Sequence, residues 1–315
     1  MRYAKDPELD RTLRHSVRDG MAYAVMSGSS ETYFSAFALF LRASAPQVAV
    51  LATLPALLGS LLALSAPLIA RWVGRRKPVI VGAASLQAVI LLLLVASIWW
   101  GGVAVFTMLL VCISLYFAGA NLASPLWTSW MGDLVPEHRR GRFFGRRTRW
   151  TTITTFCALV AGGVILHLGE ATQHTALRFA LFTATGCGAR LVSIYHLGCM
   201  HEPAHANTLP RIRLGREWFD NLGRTGAFWF TAYFALMQTS VGISAPFFSV
   251  YMLRDLDFSY LQFMATTGTA VLVQFLTLNY WGRIGDAFGN RLILTVTSFS
   301  VPLLPALWIV SDSFW

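Results

Sequence analysis

Gly282-Arg283-Ile284-Gly285-Asp286-Ala287-Phe288-Gly289-Asn290-Arg291 is a short polar turn between two long apolar runs. Pro67-Leu68-Ile69-Ala70-Arg71-Trp72-Val73-Gly74-Arg75-Arg76-Lys77 is a second turn of the same shape. Each places a glycine eight positions in, with arginine close behind. Working outward, the apolar runs are 20–41, 46–70, 79–100, 101–130, 150–169, 179–201, 225–253, 258–282 and 292–311. Each is long enough to cross a hydrocarbon layer of ~30 Å. Backbone polar groups in lipid must be satisfied within the segment, so the sequence predicts spanning helices, nine of them. The two glycine turns follow the second and the eighth span, six spans apart.

Composition agrees. The chain has 315 residues, 55% hydrophobic and 13% charged, with mean hydropathy +0.55. A typical soluble domain is ~25% charged. These values exclude an ordinary soluble domain and a disordered chain. The N-terminus is charged and has no signal-peptide core. Net charge is +10, which raises nucleic acid as a partner, but the distribution removes it. With the N-terminus cytoplasmic, 21 of the 25 Lys and Arg fall on the inner side and three on the outer, leaving Arg190 within a span. This is the positive-inside rule. Trp72, Trp127, Trp130, Trp150 and Trp281 near inner ends, and Trp99, Trp100 and Trp308 near outer ends, are expected to form the interfacial belt. The partners expected are the bilayer, a small-molecule substrate and protons, with no cofactor. The expected location is the cytoplasmic membrane.

The turn Gly282-x-x-x-Asp286-x-x-Gly289-x-Arg291 resembles the G-x-x-x-D-x-x-G-R-R signature of the major facilitator superfamily, with Asn290 in place of the first Arg. In the earlier copy Gly74, Arg75 and Arg76 match, while Pro67 and Arg71 depart. A third segment, Asp133 through Pro136, Arg140, Gly141 and Gly145 to Arg147, is similar to the D-x-x-P…R-G…G stretch found after the fourth span. The resemblance covers essentially the whole chain. It implies an all-α polytopic membrane protein with a six-helix N-terminal bundle (1–201), a cytoplasmic linker (202–224) and an incomplete, three-helix C-terminal bundle (225–315). Repeat logic puts the end of a complete second bundle near about residue 415, so about 100 residues and three spans are expected beyond Trp315. The resemblance also implies that the glycine turns help lock a cytoplasmic gate, with Asp286 paired to Arg283 or Arg291. A solvated, topogenic turn is the plainer alternative. In the first half Arg71 cannot play the acid's part, and Asp133 is the candidate substitute.

Two charges fall within spans. Glu31 lies in Gly28-Ser29-Ser30-Glu31-Thr32-Tyr33, and Arg190 follows Gly186-Cys187-Gly188-Ala189. An acid at the bilayer centre costs ~2.5–3.5 kcal/mol on insertion scales, so its default role is functional. Glu31 is a candidate proton carrier or substrate ligand, or else a structural carboxyl. Arg190 is its natural partner, or a ligand for an anionic substrate. Asn121 and Gln238 are candidate cavity residues, because Gly119 and Pro125, and Gly242 and Pro246, lie beside them. Gln87 and Gln274 are expected as helix glue. His167 and His196 are expected near the membrane interfaces, and Cys112, Cys157, Cys187 and Cys199 as small core residues.

His201-Glu202-Pro203-Ala204-His205 has the zinc-protease spacing, but Pro203 opposes the helix that spacing requires. No G-K-[ST] or G-x-S-x-G motif is present. An enzyme is therefore not expected. The function expected is a secondary active transporter, moving a small solute by alternating access with proton coupling. The alternative is a truncated, non-transporting membrane protein acting as sensor, assembly partner or remnant. Span five reads Leu159-Val160-Ala161-Gly162-Gly163-Val164, without the proline of the family's antiporter signature, which argues against drug efflux.

Overall fold

A computed structural model describes residues 6–98, 105–170, 175–202, 227–288, 290–301 and 303. These are helical almost throughout, with no strand among them. The helices are α1 (Pro7–Ser29), α2 (Phe34–Phe40), α3 (Ala45–Val73), α4 (Arg76–Ser97), α5 (Val105–Leu134), α6 (Glu137–Glu170), α7 (Thr175–Gly198), α8 (Ala227–Val250), α9 (Tyr260–Phe288) and α10 (Asn290–Ser300). Among the described residues six helices are long and apolar enough to cross a membrane. They are Ala45–Val73, Arg76–Ser97, Val105–Leu134, Phe143–His167, Ala176–Gly198 and Phe228–Asp255.

The first expected span is not one helix. α1 begins well inside the charged N-terminus, where Asp6 Oδ1 accepts the Glu8 N–H at 3.0 Å and Pro7 opens the helix. It ends at Ser30, and a 3-10 turn, Glu31–Tyr33, separates it from α2. The polar run dictates the break. Ser29 Oγ bonds to Met26 O and Thr32 Oγ1 to Ser27 O, offering the backbone a local alternative to helix. The arginine-rich stretch before span five is likewise helical, because α6 starts at Glu137.

The first glycine turn is tighter than the sequence implied. α3 runs through Pro67 to Val73, and only Gly74 and Arg75 intervene before α4. Gly74 adopts φ 81°, ψ −8° and returns its N–H to Ala70 O at 2.9 Å. A side chain there would meet nothing within 4 Å, so the left-handed backbone alone demands glycine.

α1 packs against α6 and α7, α3 against α5, and α4 against α5 and α7. α9 lies on α6, and α8 contacts α2 and α3. The core joins Met26, Tyr33 and Phe37 to Leu91, Leu94, Ile113, Tyr116, Leu159, Phe179 and Phe182. A second cluster, nearer the glycine turn, joins Ala66 and Ala70 to Ile80, Ala83, Ala84, Trp130, Met131 and Leu197. Small residues bring the helices together, as lipid-embedded packing requires. At Gly28 a Cβ would fall 2.6 Å from Thr155 O, and at Gly186 it would fall 2.0 Å from Ser30 Oγ. Outward faces carry Leu57, Leu61, Leu64, Leu68, Leu92, Leu181 and Leu191, all exposed. So much exposed apolar surface is the mark of a protein solvated by lipid.

The tryptophans divide. Trp72, Trp150 and Trp281 are exposed. Trp130 is fully buried between helices, and Trp127 is partly buried, so these two leave the expected interfacial belt for the packing of α5. Trp99, Trp100 and Trp308 lie outside the described residues. Cys112 and Cys187 are core residues, whereas Cys157 sits on an exposed face of α6.

Candidate functional site

The helix break puts Glu31 beside α5, where Tyr116 donates its hydroxyl to Glu31 Oε2 at 3.1 Å. α4 reaches the other end of the same residue: Gln87 Nε2 donates to the Tyr116 backbone carbonyl at 3.3 Å. The other end of the Gln87 amide accepts from Arg190 Nη2. Arg190 Nη1 donates to Ser193 Oγ at 2.9 Å, and Ser193 Oγ donates to Asp19 Oδ1 at 2.7 Å. Asp19 Oδ2 lies 3.8 Å from Arg147 Nη2. A polar chain therefore runs through the first bundle from Glu31 to Arg147, crossing α5, α4, α7, α1 and α6 in turn. Gln87 and Ser193 are wholly buried, and Asp19 and Arg190 are 4% exposed. Each charged group makes at least one hydrogen bond or ion pair, which lowers the cost of placing it there.

Glu31 and Arg190 are thus members of one network rather than a direct ion pair. Arg190 also lies over the Tyr23 ring, 5.1 Å from its centroid, and Arg147 lies over Trp127 at 4.1 Å. Between them is a cavity of about 290 Å³, walled by Asp19, Tyr23, Ile80, Ala120, Ala123, Ser124, Trp127, Thr128, Arg147, Arg190 and Leu197.

Asn121 and Gln238 are elsewhere. Asn121 Nδ2 donates to Phe117 O at 2.9 Å and rests on Gly59, at the α3–α5 contact. Gln238 and Gln274 are exposed, on α8 and α9. His196 Nδ1 meets His15 Nδ1 at 3.0 Å.

Asp19 and Ser193 were not singled out from the sequence, and Arg147 was named only as the end of the motif segment after the fourth span. Asp19 and Arg147 sit in charge-rich segments that read as topogenic, and only the helical extension of α1 and α6 turns them inward. Gly20 was the available signal, since a Cβ there would fall 2.8 Å from the Arg147 guanidinium.

A second polar cluster surrounds the first glycine turn. Arg76 Nη1 pairs with Asp133 Oδ2 at 2.5 Å, tying the start of α4 to the end of α5. Glu202 Oε1 accepts the Arg76 N–H at 2.8 Å and the Lys77 N–H at 3.3 Å, capping α4. Arg75 Nε stands 3.5 Å from Glu202 Oε2. Lys77 Nζ returns the favour, donating to Gly198 O at 2.7 Å and Met200 O at 2.8 Å. Two helix ends thus satisfy each other's orphan groups. Arg140 does the same for α5, bonding Gly132 O and Val135 O. Within His201-Glu202-Pro203-Ala204-His205, His201 Nδ1 faces Glu8 at 3.2 Å and Glu202 serves as this cap; His205 lies outside the described residues.

In the second copy, Gly282 and Asp286 fall on the last turns of α9, not in a loop. Their side chains lie outside the described residues, as does Gly289 entirely. Arg291 is exposed at the start of α10.

No curated protein matches the chain. The sequence pattern of the Major Facilitator Superfamily matches residues 20–315. That match covers nearly the whole chain and agrees with the helical, lipid-exposed architecture and with the glycine turn at Gly74. The chain is an integral membrane protein that belongs to the major facilitator superfamily, a family of membrane transporters.

Proposed function

We propose that the protein is a secondary active transporter of a small solute, working by alternating access and coupled to protons. The observation that carries this reading is the buried chain Glu31–Tyr116–Gln87–Arg190–Ser193–Asp19. Ionisable groups at this depth are costly, and a structural role needs fewer of them. Glu31 sits at a helix break, the usual construction of a midplane site in transporters. Its carboxylate is the proton carrier, and Arg190 is the nearby buried cation that responds to its charge. Asn121 and Gln238 belong to helix contacts and to the opposite bundle, and line the path only in another state of the cycle.

The N-terminus faces the cytoplasm of the cell membrane, as the arginine distribution requires. Residues 1–201 form the first bundle, 202–224 the linker and 225–315 the first part of the second bundle. Gly74, Arg75, Arg76 and Asp133 form the first half of the cytoplasmic gate, and Gly282, Asp286, Gly289 and Arg291 the second. Accessibility of cysteines introduced along α5 tests the gate: Asp133→Asn shifts the balance towards the inward-open state, and an unchanged balance removes Asp133 from it. Everted vesicles carrying the full chain and a pH-sensitive dye test the transport reading. Solute-dependent proton flux for at least one member of a panel of sugars, organic acids and amines is expected. No such flux across the panel overturns it.

A further inference from the structure

The cavity between α1, α4, α5, α6 and α7 has a wall of unusual balance. Two guanidiniums, Arg147 and Arg190, face it with one carboxylate, Asp19. Glu31 is not among its lining residues. Asp19 is engaged by Ser193 and Arg147, and the wall is left with one uncompensated positive charge. Arg190 is 4% exposed, yet its Nε has no hydrogen-bond partner among the described residues. That nitrogen is closed off from the open space, and the guanidinium's other hydrogen bonds go to the neutral Ser193 and Gln87, so its charge meets no carboxylate directly among the described residues. The rest of the wall is apolar or aromatic: Trp127, Tyr23, Ile80 and Leu197. Ser124 and Thr128 also line it and are exposed.

From this we infer that the cavity binds a small organic monocarboxylate, its carboxylate on Arg190 and Arg147 and its apolar body against Trp127 and Tyr23. The inference rests on the transporter reading and names its substrate class. One net positive charge suits a monoanion. An arginine fork matches a carboxylate in two parallel hydrogen bonds. The apolar wall favours an organic body over inorganic phosphate, which is strongly hydrated and has no apolar part. At about 290 Å³ the space is at the small end of ligand pockets.

Isothermal titration of the full chain in nanodiscs, without any ion gradient, tests this with acetate, hexanoate and benzoate as probes. Saturable binding of at least one is expected. Benzamide, benzylamine and inorganic phosphate are expected to bind about tenfold more weakly or worse. Arg190→Gln should weaken the carboxylate about tenfold or more, and Arg190→Lys less. Since Arg190→Gln can also impair folding, Ser124→Trp serves as the second variant. It adds bulk to the exposed part of the lining, keeps every charge, and should abolish binding in a protein that stays monodisperse. The inference is overturned if none of the three carboxylates binds, if benzamide or phosphate binds as tightly, or if Ser124→Trp leaves binding unchanged. Carboxylate binding without any transport would instead overturn the transporter reading. Proton-coupled transport of a neutral solute with no carboxylate binding would overturn only this inference.

Discussion

Ser193 on α7 holds Asp19 on α1 by a 2.7 Å hydrogen bond across 174 residues of sequence. The same hydroxyl accepts from Arg190 Nη1, so one small side chain joins a buried acid to a buried base. Ser193→Ala removes two hydrogen bonds to charged groups at once. The expected loss is about 2–4 kcal/mol, from ~1.5–3 kcal/mol for a single hydrogen bond to a charge. Thermal unfolding of the detergent-solubilised protein measures it. A melting temperature equal to the parent's would mean that this bond does not hold α1 to α7.

The reciprocal caps at the first glycine turn give a second prediction. Glu202→Ala uncaps α4 and releases Arg75, and Lys77→Ala frees the carbonyls of Gly198 and Met200. Each substitution costs about 1–2 kcal/mol, the ordinary loss of a helix cap. The two partners share one joint, so the double variant should cost less than the sum of the single ones. Strict additivity in a double-mutant cycle would show two independent caps.

Gly74 and Gly82 form a matched pair. A Cβ at either meets nothing within 4 Å. Only Gly74 has a left-handed backbone, φ 81°. Gly74→Ala should destabilise by about 1 kcal/mol or more, while Gly82→Ala, within α4, should be neutral or gain up to ~1 kcal/mol. Equal effects at the two positions would refute the backbone argument.

Gly186 tests the break in the first span. Its Cβ would lie 2.0 Å from Ser30 Oγ, so Gly186→Ala must displace the turn that carries Glu31. We expect a loss of about 1–3 kcal/mol, the usual cost of overpacking. Ser30→Gly should recover most of it by removing the clashing hydroxyl. Failure of that rescue would place the strain elsewhere in the α1–α7 contact.

These tests also mark what the sequence disclosed. The apolar runs, the inner arginines and the glycine turn were legible because lipid constrains length, charge and backbone so strongly. Glu31 and Arg190 stood out because charges are rare inside spans. Their connection was not legible, since it passes through Gln87 and Ser193, ordinary polar residues whose contacts depend on packing. Asp19 and Arg147 were hidden for a different reason. In sequence they belong to charged flanks, and only the prolonged helices α1 and α6 fold those flanks against the bundle. Trp130 was assigned to the membrane interface by its position, but it is buried in a cluster shared by α3, α4, α5 and α7. Asn121 was read as a cavity residue from its small neighbours on α5; the small residue it rests on here is Gly59, on another helix.

The claim at the centre of this account is that Glu31 carries the coupled proton. It is tested most directly by comparing wild type with Glu31→Gln in proteoliposomes containing a pH dye. For a solute the wild type transports, Glu31→Gln should abolish solute-driven proton flux and uphill uptake but retain solute exchange down its own gradient. Proton flux in Glu31→Gln at the wild-type rate would contradict the account.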